Sequence, residues 1–380
     1  MSSSTSSGTA GTGTGRAPAT VDRERPRDVT LVDVDVHPTM MPAALEERLS
    51  ARARRHWSEF GPRVAGAYAI FPRMRNGGFR VDARPEHGRP GSDLGLVRRQ
   101  HLDEYGIDYA VLTPMQAQSF GGEAPELAAE LCRALNDWIR DEWLAEEPRL
   151  LGSICPPHEH PDLAVREIER LAGDPRFVQV LLPGTAEQGL GDRRYRPILR
   201  AAAEAGLPVA LHTGGNEMHR GAGWPSYYLE MHVWNGNTMA MQAMSLICGG
   251  VLEEIGDLQI VSVECGIAWA AAMGWALDDA FRTFGETLTT GMRRPPSEQL
   301  REHFWFSTQP IEEPDDPEHL AFAFDALGMT DRILFSTDYP HWDFDAPGQA
   351  LPRTLRGDVR EKILAGNACR LYGLGPEAPG

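Results

Sequence analysis

The sequence predicts a (β/α)8 barrel of the TIM type, and three observations support this prediction. From residue 29 onward, short apolar runs with β-branched residues alternate with segments of helical periodicity. The apolar runs are mostly unalternating, as expected for parallel strands that are buried on both faces. Eight such runs are present, and the glycine-rich turn that a doubly wound open sheet needs is missing after Val36. The open sheet is therefore the second alternative.

The predicted strands and helices alternate along the whole chain after the first thirty residues. In a barrel of this kind the active site lies at the carboxyl ends of the strands. The predicted strands are Thr30–Val36, Tyr109–Thr113, Leu150–Cys155, Phe177–Leu182, Pro208–Leu211, Leu258–Val263, Phe304–Phe306 and Ile333–Phe335. The predicted helices are Pro125–Trp143, Asp162–Leu171, Tyr195–Ala205, Thr238–Ile255, Trp269–Phe284, Pro317–Leu327 and Asp358–Tyr372.

The 380 residues are within the range of one large α/β barrel, which we assign to residues 29–375. Residues 1–28 are rich in Ser, Thr, Gly, Ala and Pro, and we expect a disordered tail. Residues 38–106 form a long insertion after the first strand, of the kind that serves as a lid or a substrate-binding loop. We expect its Arg73 and Arg75 to bind a substrate carboxylate, with Tyr227 from the fifth loop as a pocket wall. A solvated insertion that only packs on the barrel rim is the alternative.

Composition excludes several classes of function. Lys and Arg total 37 against 54 Asp and Glu, and a net charge of −17 argues against nucleic acid or an anionic membrane as the partner. Lys362 is the only lysine and lies in Glu-Lys-Ile, which excludes a Walker-type phosphate loop. The five cysteines are widely spaced, so we expect reduced thiols and a cytoplasmic protein that acts on a small molecule. The composition leaves open whether the protein forms a homodimer.

Polar side chains at the ends of the predicted strands indicate a metal site. Asp35 and His37 end the first strand and, two residues apart, point to the same face. His212 ends the fifth strand, and Asp338 follows the eighth. Each alone is more simply explained as a buried polar residue, but two imidazoles and two carboxylates at one barrel mouth cost free energy unless they bind a cation. They form a four-ligand set with room for water or substrate.

These segments resemble the amidohydrolase superfamily, specifically its group that is related to aminocarboxymuconate-semialdehyde decarboxylase and γ-resorcylate decarboxylase. The resemblance rests on Asp35-Val36-His37, on Leu211-His212-Thr213 and on the specific segment from Ser336 to Trp342. It implies a barrel enzyme that hydrolyses or non-oxidatively decarboxylates a small carboxylated or cyclic compound. It also implies one divalent metal ion, zinc foremost and manganese second, at Asp35, His37, His212 and Asp338.

The sequence departs from this family pattern at two places. Asp35 stands where the first motif commonly has a histidine, which makes the ligand set harder and keeps manganese in contention. Glu264 stands at the end of strand six, where the decarboxylases usually have a histidine, and this argues against ordinary decarboxylation. Binuclear relatives use a carboxylated lysine on the fourth strand, and Lys362 is far from that strand, so one metal is expected.

We expect Asp338 and Glu264 to transfer protons and His341, with Asp343, to orient the ligand Asp338. The alternatives are a Glu264 that pairs with an arginine at the rim and a His341 that only packs its loop. We expect Cys265 to be buried and inert. The His158-Glu159-His160 step is expected to lie in a solvated loop, and His232 to be a packing residue.

Two other classes of function remain open at this point. One is a metal-free lactonase on the same barrel, and the other is a barrel that has lost catalysis and only binds. Loss of any of the four expected ligands would favour the binding barrel, and all four are present. Within the enzyme class, hydrolysis and decarboxylation both remain open.

Overall fold

Eight parallel strands form one barrel in the computed structural model, which describes residues 29–61, 78–215, 227–287 and 291–375. The strands pair in sequence order from β1 to β8. The barrel closes where the Val34 N–H donates to the Phe335 carbonyl oxygen at 3.0 Å and the His37 N–H donates to that of Tyr339 at 2.8 Å. The predicted (β/α)8 barrel is therefore confirmed. The predicted tail, residues 1–28, lies outside the described residues.

Buried aliphatic and aromatic side chains make up most of the strands, because both faces of each strand are covered. The predicted strands are found within a few residues at either end. The strands are β1 Val32–Val36, β2 Tyr109–Leu112, β3 Leu150–Ile154, β4 Phe177–Thr185, β5 Val209–Gly215, β6 Ile260–Val263, β7 Phe304–Ser307 and β8 Ile333–Leu334.

The helices surround the barrel, and several of them begin with proline in the first turn, where its missing N–H costs nothing. Three continue as wider π-helical turns, at Arg98–Asp103, Ile139–Leu144 and Lys362–Gly366. The helices are α1 Pro42–Arg48, α2 Ala51–Phe60, α3 Leu94–Val97, α4 Ala117–Phe120, α5 Pro125–Trp138, α6 Pro161–Leu171, α7 Arg196–Glu204, α8 Tyr228–Cys248, α9 Val251–Glu254, α10 Trp269–Phe284, α11 Pro296–His303, α12 Pro317–Leu327, α13 Gly357–Glu361 and α14 Asn367–Tyr372.

The predicted helix Thr238–Ile255 differs most from the structure. The helix α8 begins ten residues earlier, at Tyr228, and a break at Gly249 and Gly250 separates it from α9. Gly250 has a φ of 72°, a left-handed conformation that glycine adopts at little cost and that ends a helix. None of the helices in the described ranges is long and apolar enough to cross a membrane.

Two sets of contacts connect β1 and the insertion to the segment after β8. The Asp33 carboxylate accepts hydrogen bonds from the backbone N–H of Thr337 at 3.0 Å and from its hydroxyl at 2.5 Å, and His101 Nε2 lies 2.8 Å from Asp33 Oδ2. Phe79, within the insertion, forms an antiparallel bridge with His341. Both sets fix the backbone on either side of Asp338.

Candidate active site

The first part of the site is the end of β1, where Asp35 and His37 are fully buried and face the barrel interior. His37 Nδ1 lies 2.7 Å from the carbonyl oxygen of Thr113, so this nitrogen donates its proton and Nε2 faces the site. Nε2 is 3.4 Å from Asp35 Oδ1. The hydroxyl of Thr113 donates to the same Asp35 oxygen, which fixes the carboxylate.

His212 extends the site from β5. Its Nδ1 lies 2.8 Å from the carbonyl oxygen of Thr213 and 2.9 Å from the side-chain amide nitrogen of Gln118. Its Nε2 therefore faces the cluster, 3.6 Å from Asp35 Oδ1 and 3.3 Å from Glu264 Oε2. Burial by itself lowers the pKa of His212, but the charges of Asp35 and Glu264 outweigh burial and raise it.

Asp338 comes from the loop after β8 and has a φ of 60°, which is unusual for a residue other than glycine. Its Oδ1 lies 2.7 Å from His37 Nε2 and 2.6 Å from His341 Nδ1. The ring of His341 stacks on Phe79 with centroids 5.2 Å apart. Asp338 is therefore held on one oxygen by two imidazoles, and its other oxygen, Oδ2, has no hydrogen-bond partner among the described residues.

Glu264 follows β6 and also has a left-handed backbone, with a φ of 57°. Its side chain is 12% exposed and lies beside His212. Burial, together with the nearby charge of Asp338, raises the pKa of Glu264 to about 7. The salt bridges found in the described ranges include none between Glu264 and an arginine, so the alternative of a rim ion pair has no support there.

The donor atoms match what a divalent cation requires. Among the buried side-chain atoms that lack a hydrogen-bond partner in the described part of the chain, three belong to expected ligands: Asp35 Oδ2, His212 Nε2 and Asp338 Oδ2. Burial lowers the pKa of His37, but the carboxylates, above all Asp35, outweigh it and raise the pKa to about 10. The cluster thus attracts positive charge strongly. Two overlapping groups have all their donor atoms within 4.8 Å of one another: Asp35, His37, His212 and Glu264, and His37, Glu264, Asp338 and His341.

Three of the expected metal ligands, Asp35, His37 and His212, fall in the first group, and Asp338 falls in the second, which shares His37 and Glu264 with the first. Their role as metal ligands stays a prediction. Of the three residues expected to bind substrate, Arg73 and Arg75 lie outside the described residues. Tyr227 immediately precedes α8, and its side chain is 61% exposed. Its role as a pocket wall stays a prediction.

One polar pair near the site was not expected from the sequence. His232 Nε2 lies 2.9 Å from Asp343 Oδ2, so His232 is more than a packing residue. This hydrogen bond raises the pKa of His232, with smaller contributions from the charges of Glu264 and Asp338. The partners are 111 positions apart, and no local pattern connects them. The one indication of this contact in the sequence is that the two residues follow β5 and β8, whose carboxyl ends both lie at the barrel mouth.

The expectation of a solvated His158-Glu159-His160 loop is wrong. His158 and Glu159 are 2% and 4% exposed. The Glu159 carboxylate accepts hydrogen bonds from the Tyr195 hydroxyl at 2.7 Å and from the Glu187 N–H at 2.8 Å. The loop is therefore a packed connection between barrel elements. Pro161, which directly follows the step, is the first residue of α6.

Cys265 lies next to Glu264 and is buried, as expected. Burial, with a further contribution from the charge of Glu264, raises the pKa of its thiol well above the ordinary value. A thiol in this state is a poor nucleophile. The chemistry of the site therefore belongs to its carboxylates and imidazoles.

The strand ends of this (β/α)8 barrel bring together two histidines and three carboxylates, and several of their donor atoms are unpaired among the described residues. This arrangement is that of a metal-dependent barrel enzyme. The sequence profile of the amidohydrolase family, described simply as amidohydrolase, matches residues 32–374. The chain therefore belongs to the amidohydrolase family, and the resemblance described above is confirmed.

Characterised relatives include decarboxylases. The γ-resorcylate decarboxylase of Polaromonas sp. is 25% identical over 297 residues, which cover 74% of this chain and 88% of the relative. The 2-amino-3-carboxymuconate-6-semialdehyde decarboxylase of Dictyostelium discoideum is 24% identical over 289 residues, or 74% of this chain and 77% of the relative.

Solved structures share the fold. A dihydroxybenzoic acid decarboxylase from Polaromonas sp., with bound manganese and 2-nitroresorcinol, superposes with a TM-score of 0.65 at 20% identity, over 92% of this chain and 98% of the other. A 5-carboxyvanillate decarboxylase from Novosphingobium aromaticivorans, also with manganese, superposes with a TM-score of 0.68 at 18% identity, over the same shares of both chains.

Proposed function

We propose that this chain catalyses the non-oxidative decarboxylation of a small hydroxylated aromatic carboxylate, or of a similarly conjugated acid. The observation that carries the proposal is Glu264, a buried carboxyl group beside the metal cluster whose pKa is raised to about 7. In the cluster without a cation this pKa leaves the carboxyl group partly protonated at neutral pH, and decarboxylation needs a proton donor at the carbon that loses its carboxylate. The activities of the relatives support the same reaction.

One divalent cation at Asp35, His37, His212 and Asp338 is part of this proposal. Two carboxylates among these ligands, with the Glu264 carboxyl group beside them, favour a hard ion, and manganese is the ion in two solved relatives. We therefore place manganese before zinc, although the sequence alone favoured zinc. His341 donates to Asp338 Oδ1 and leaves Oδ2 for the cation, so its proposed role is to orient this ligand.

The residues divide the chemical work as follows. When bound, the cation supplies positive charge that holds substrate oxygens and stabilises developing negative charge. Protonated Glu264 donates its proton to the ring carbon that carries the carboxylate. The bond between that carbon and the carboxylate then breaks, its electron pair restores the aromatic ring, and carbon dioxide leaves. Each turnover consumes one proton, which Glu264 recovers from solvent. Arg73, Arg75 and Tyr227 are proposed to contact the substrate.

Hydrolysis of a lactone or cyclic amide is the second candidate. Glu264 favours it specifically, because this residue stands where decarboxylases of the group usually have a histidine and its pKa near 7 also provides a carboxylate base. In that reaction Glu264 takes a proton from the attacking water and passes it to the leaving group.

The test is a substrate panel with both products measured. The purified protein, loaded with manganese or with zinc, is incubated with hydroxybenzoates, conjugated acids, lactones and amides. Decarboxylation in D2O places one deuterium on the vacated carbon, which NMR detects, whereas hydrolysis in H2(18)O places the heavy oxygen in a new acid. Release of acid without carbon dioxide would replace the proposal with the second candidate. Activity in metal-free protein would indicate a metal-independent lactonase.

A further inference from the structure

The turn that carries Glu264 has a backbone conformation that is unfavourable for a residue other than glycine. Glu264 has a φ of 57° and Gly266 a φ of 66°, so two left-handed residues flank Cys265 between β6 and α10. For a residue other than glycine this conformation is unfavourable, because the Cβ atom crowds the following carbonyl oxygen. Contacts from outside the turn must therefore hold it.

Those contacts come from β7 and from the loop after it. The backbone N–H of Glu264 donates to the Ser307 hydroxyl at 3.1 Å. The Glu312 carboxylate accepts from the Ile267 N–H at 3.0 and 3.1 Å and from the Ala268 N–H at 2.9 Å. Both amides lie immediately before α10, so Glu312 also satisfies donors that the helix leaves free.

Glu312 also fits closely against the turn. A Cβ at Gly266 would lie 2.7 Å from Glu312 Oε1, so any other residue at Gly266 would displace this carboxylate from the turn. The Glu312 carboxylate, from the loop after β7, therefore lies against three consecutive residues of the turn, from Gly266 to Ala268. Movement of this carboxylate would release the turn on which Glu264 depends.

We propose that Glu312 is a positioning residue that holds the Glu264 carboxyl group at the metal cluster. This inference rests on the proposed role of Glu264. A residue that merely capped α10 would contribute to stability and nothing specific to the reaction. If Glu312 is a positioning residue, its replacement lowers activity only when Glu264 is present. If it is only a helix cap, the loss of activity does not depend on Glu264.

The experiment is a double-mutant cycle in the manganese-loaded enzyme. Glu312→Ala is expected to lower kcat about 10- to 100-fold with little change in KM, as for residues that orient a group at a metal site. In the Glu264→Gln background the same change is expected to alter kcat less than about 3-fold, because the group being positioned is gone. Glu312→Gln keeps an acceptor oxygen and is expected to restore part of the loss. Glu313→Ala, an exposed neighbour in the same loop, is the matched control.

Calorimetric titration with Mn²⁺ supplies a readout that does not need turnover. The Glu264 carboxyl group lies 3.3 Å from Nε2 of the expected ligand His212, so its displacement in Glu312→Ala is expected to weaken Mn²⁺ binding about 10-fold. Equal losses of kcat from Glu312→Ala in both backgrounds, or unchanged Mn²⁺ affinity, would overturn the inference and leave a helix cap. An unchanged kcat in Glu264→Gln alone would overturn the proposed function, and the inference with it.

Discussion

His37 Nε2 lies 2.7 Å from Asp338 Oδ1, so the first strand of the barrel and the loop after the last strand meet in one buried contact. The pair is 301 positions apart. Both side chains are almost completely buried. The expected metal ligands therefore depend on barrel closure, and each can be tested separately.

Replacing Asp338 tests the ligand set. Asp338→Asn removes the negative charge of a carboxylate whose second oxygen is unpaired among the described residues. We therefore expect metal content to fall and kcat/KM to drop at least about 100-fold. Metal content is measured by mass spectrometry and the fold by circular dichroism. Full activity with one bound metal per chain would show that Asp338 is not a ligand.

Replacing Glu264 tests the proton donor. Glu264→Gln is nearly isosteric but cannot transfer a proton, so we expect kcat to fall about 10²- to 10⁴-fold while substrate still binds. Steady-state kinetics separate kcat from KM, and Glu313→Gln provides a control with the same change of charge. A loss confined to KM would instead indicate that Glu264 contacts substrate.

Removing the metal tests the electrostatics of the cluster. Without a cation, His37 has a pKa near 10 and is protonated at neutral pH, so ion binding must displace a proton. We expect Mn²⁺ affinity to rise with pH between 6 and 8 and at least one proton to be released, measured by calorimetry in buffers of different ionisation enthalpy. Saturating metal, at about 100 times Kd, is expected to stabilise the fold by about 2.7 kcal/mol. Binding without proton release would contradict this description.

Acid is expected to destabilise the protein through His158. Burial lowers the pKa of His158 from 6.5 to about 3, so below pH 6.5 the unfolded chain binds a proton that the folded chain does not. The free energy of unfolding should therefore fall from pH 6.5 towards pH 3, by at most about 1.4 kcal/mol per pH unit from this group. Urea denaturation at pH 7.5, 6 and 5 measures the slope.

The control for this prediction is a histidine on the surface. His158→Gln removes the titrating group and is expected to give a shallower slope than the parent protein. His87 has a side chain that is 92% exposed, and His87→Gln should leave the slope unchanged. Parallel slopes for all three proteins would mean that His158 is not buried in its neutral form.

Much of the barrel could be predicted because its strands carry a local signal. Unalternating aliphatic runs such as Ile260–Val263 are buried on both faces, and strand ends locate the site without further information. The ligand positions Asp35 and His212 follow directly from that rule. The helices α1 and α2 were missed because they lie in the insertion, whose length indicated a loop rather than packed helices.

The rest of the site depends on contacts between distant residues. Glu264 was identified by its position, but its raised pKa comes from burial and from Asp338, which lies on another strand end. The His232–Asp343 hydrogen bond and the burial of His158 likewise arise from packing between loops. A single sequence contains no periodic signal for such pairs.

The meeting of His37 with Asp338 has a consequence for protein synthesis. A ribosome makes β1 first, and the partner of His37 emerges only after 301 further positions have been added. Seven strands can be complete while the acidic cluster still lacks one of its expected ligands. We therefore expect a chain that ends before Asp338 to be inactive, so that turnover would report that the last strand has joined the first.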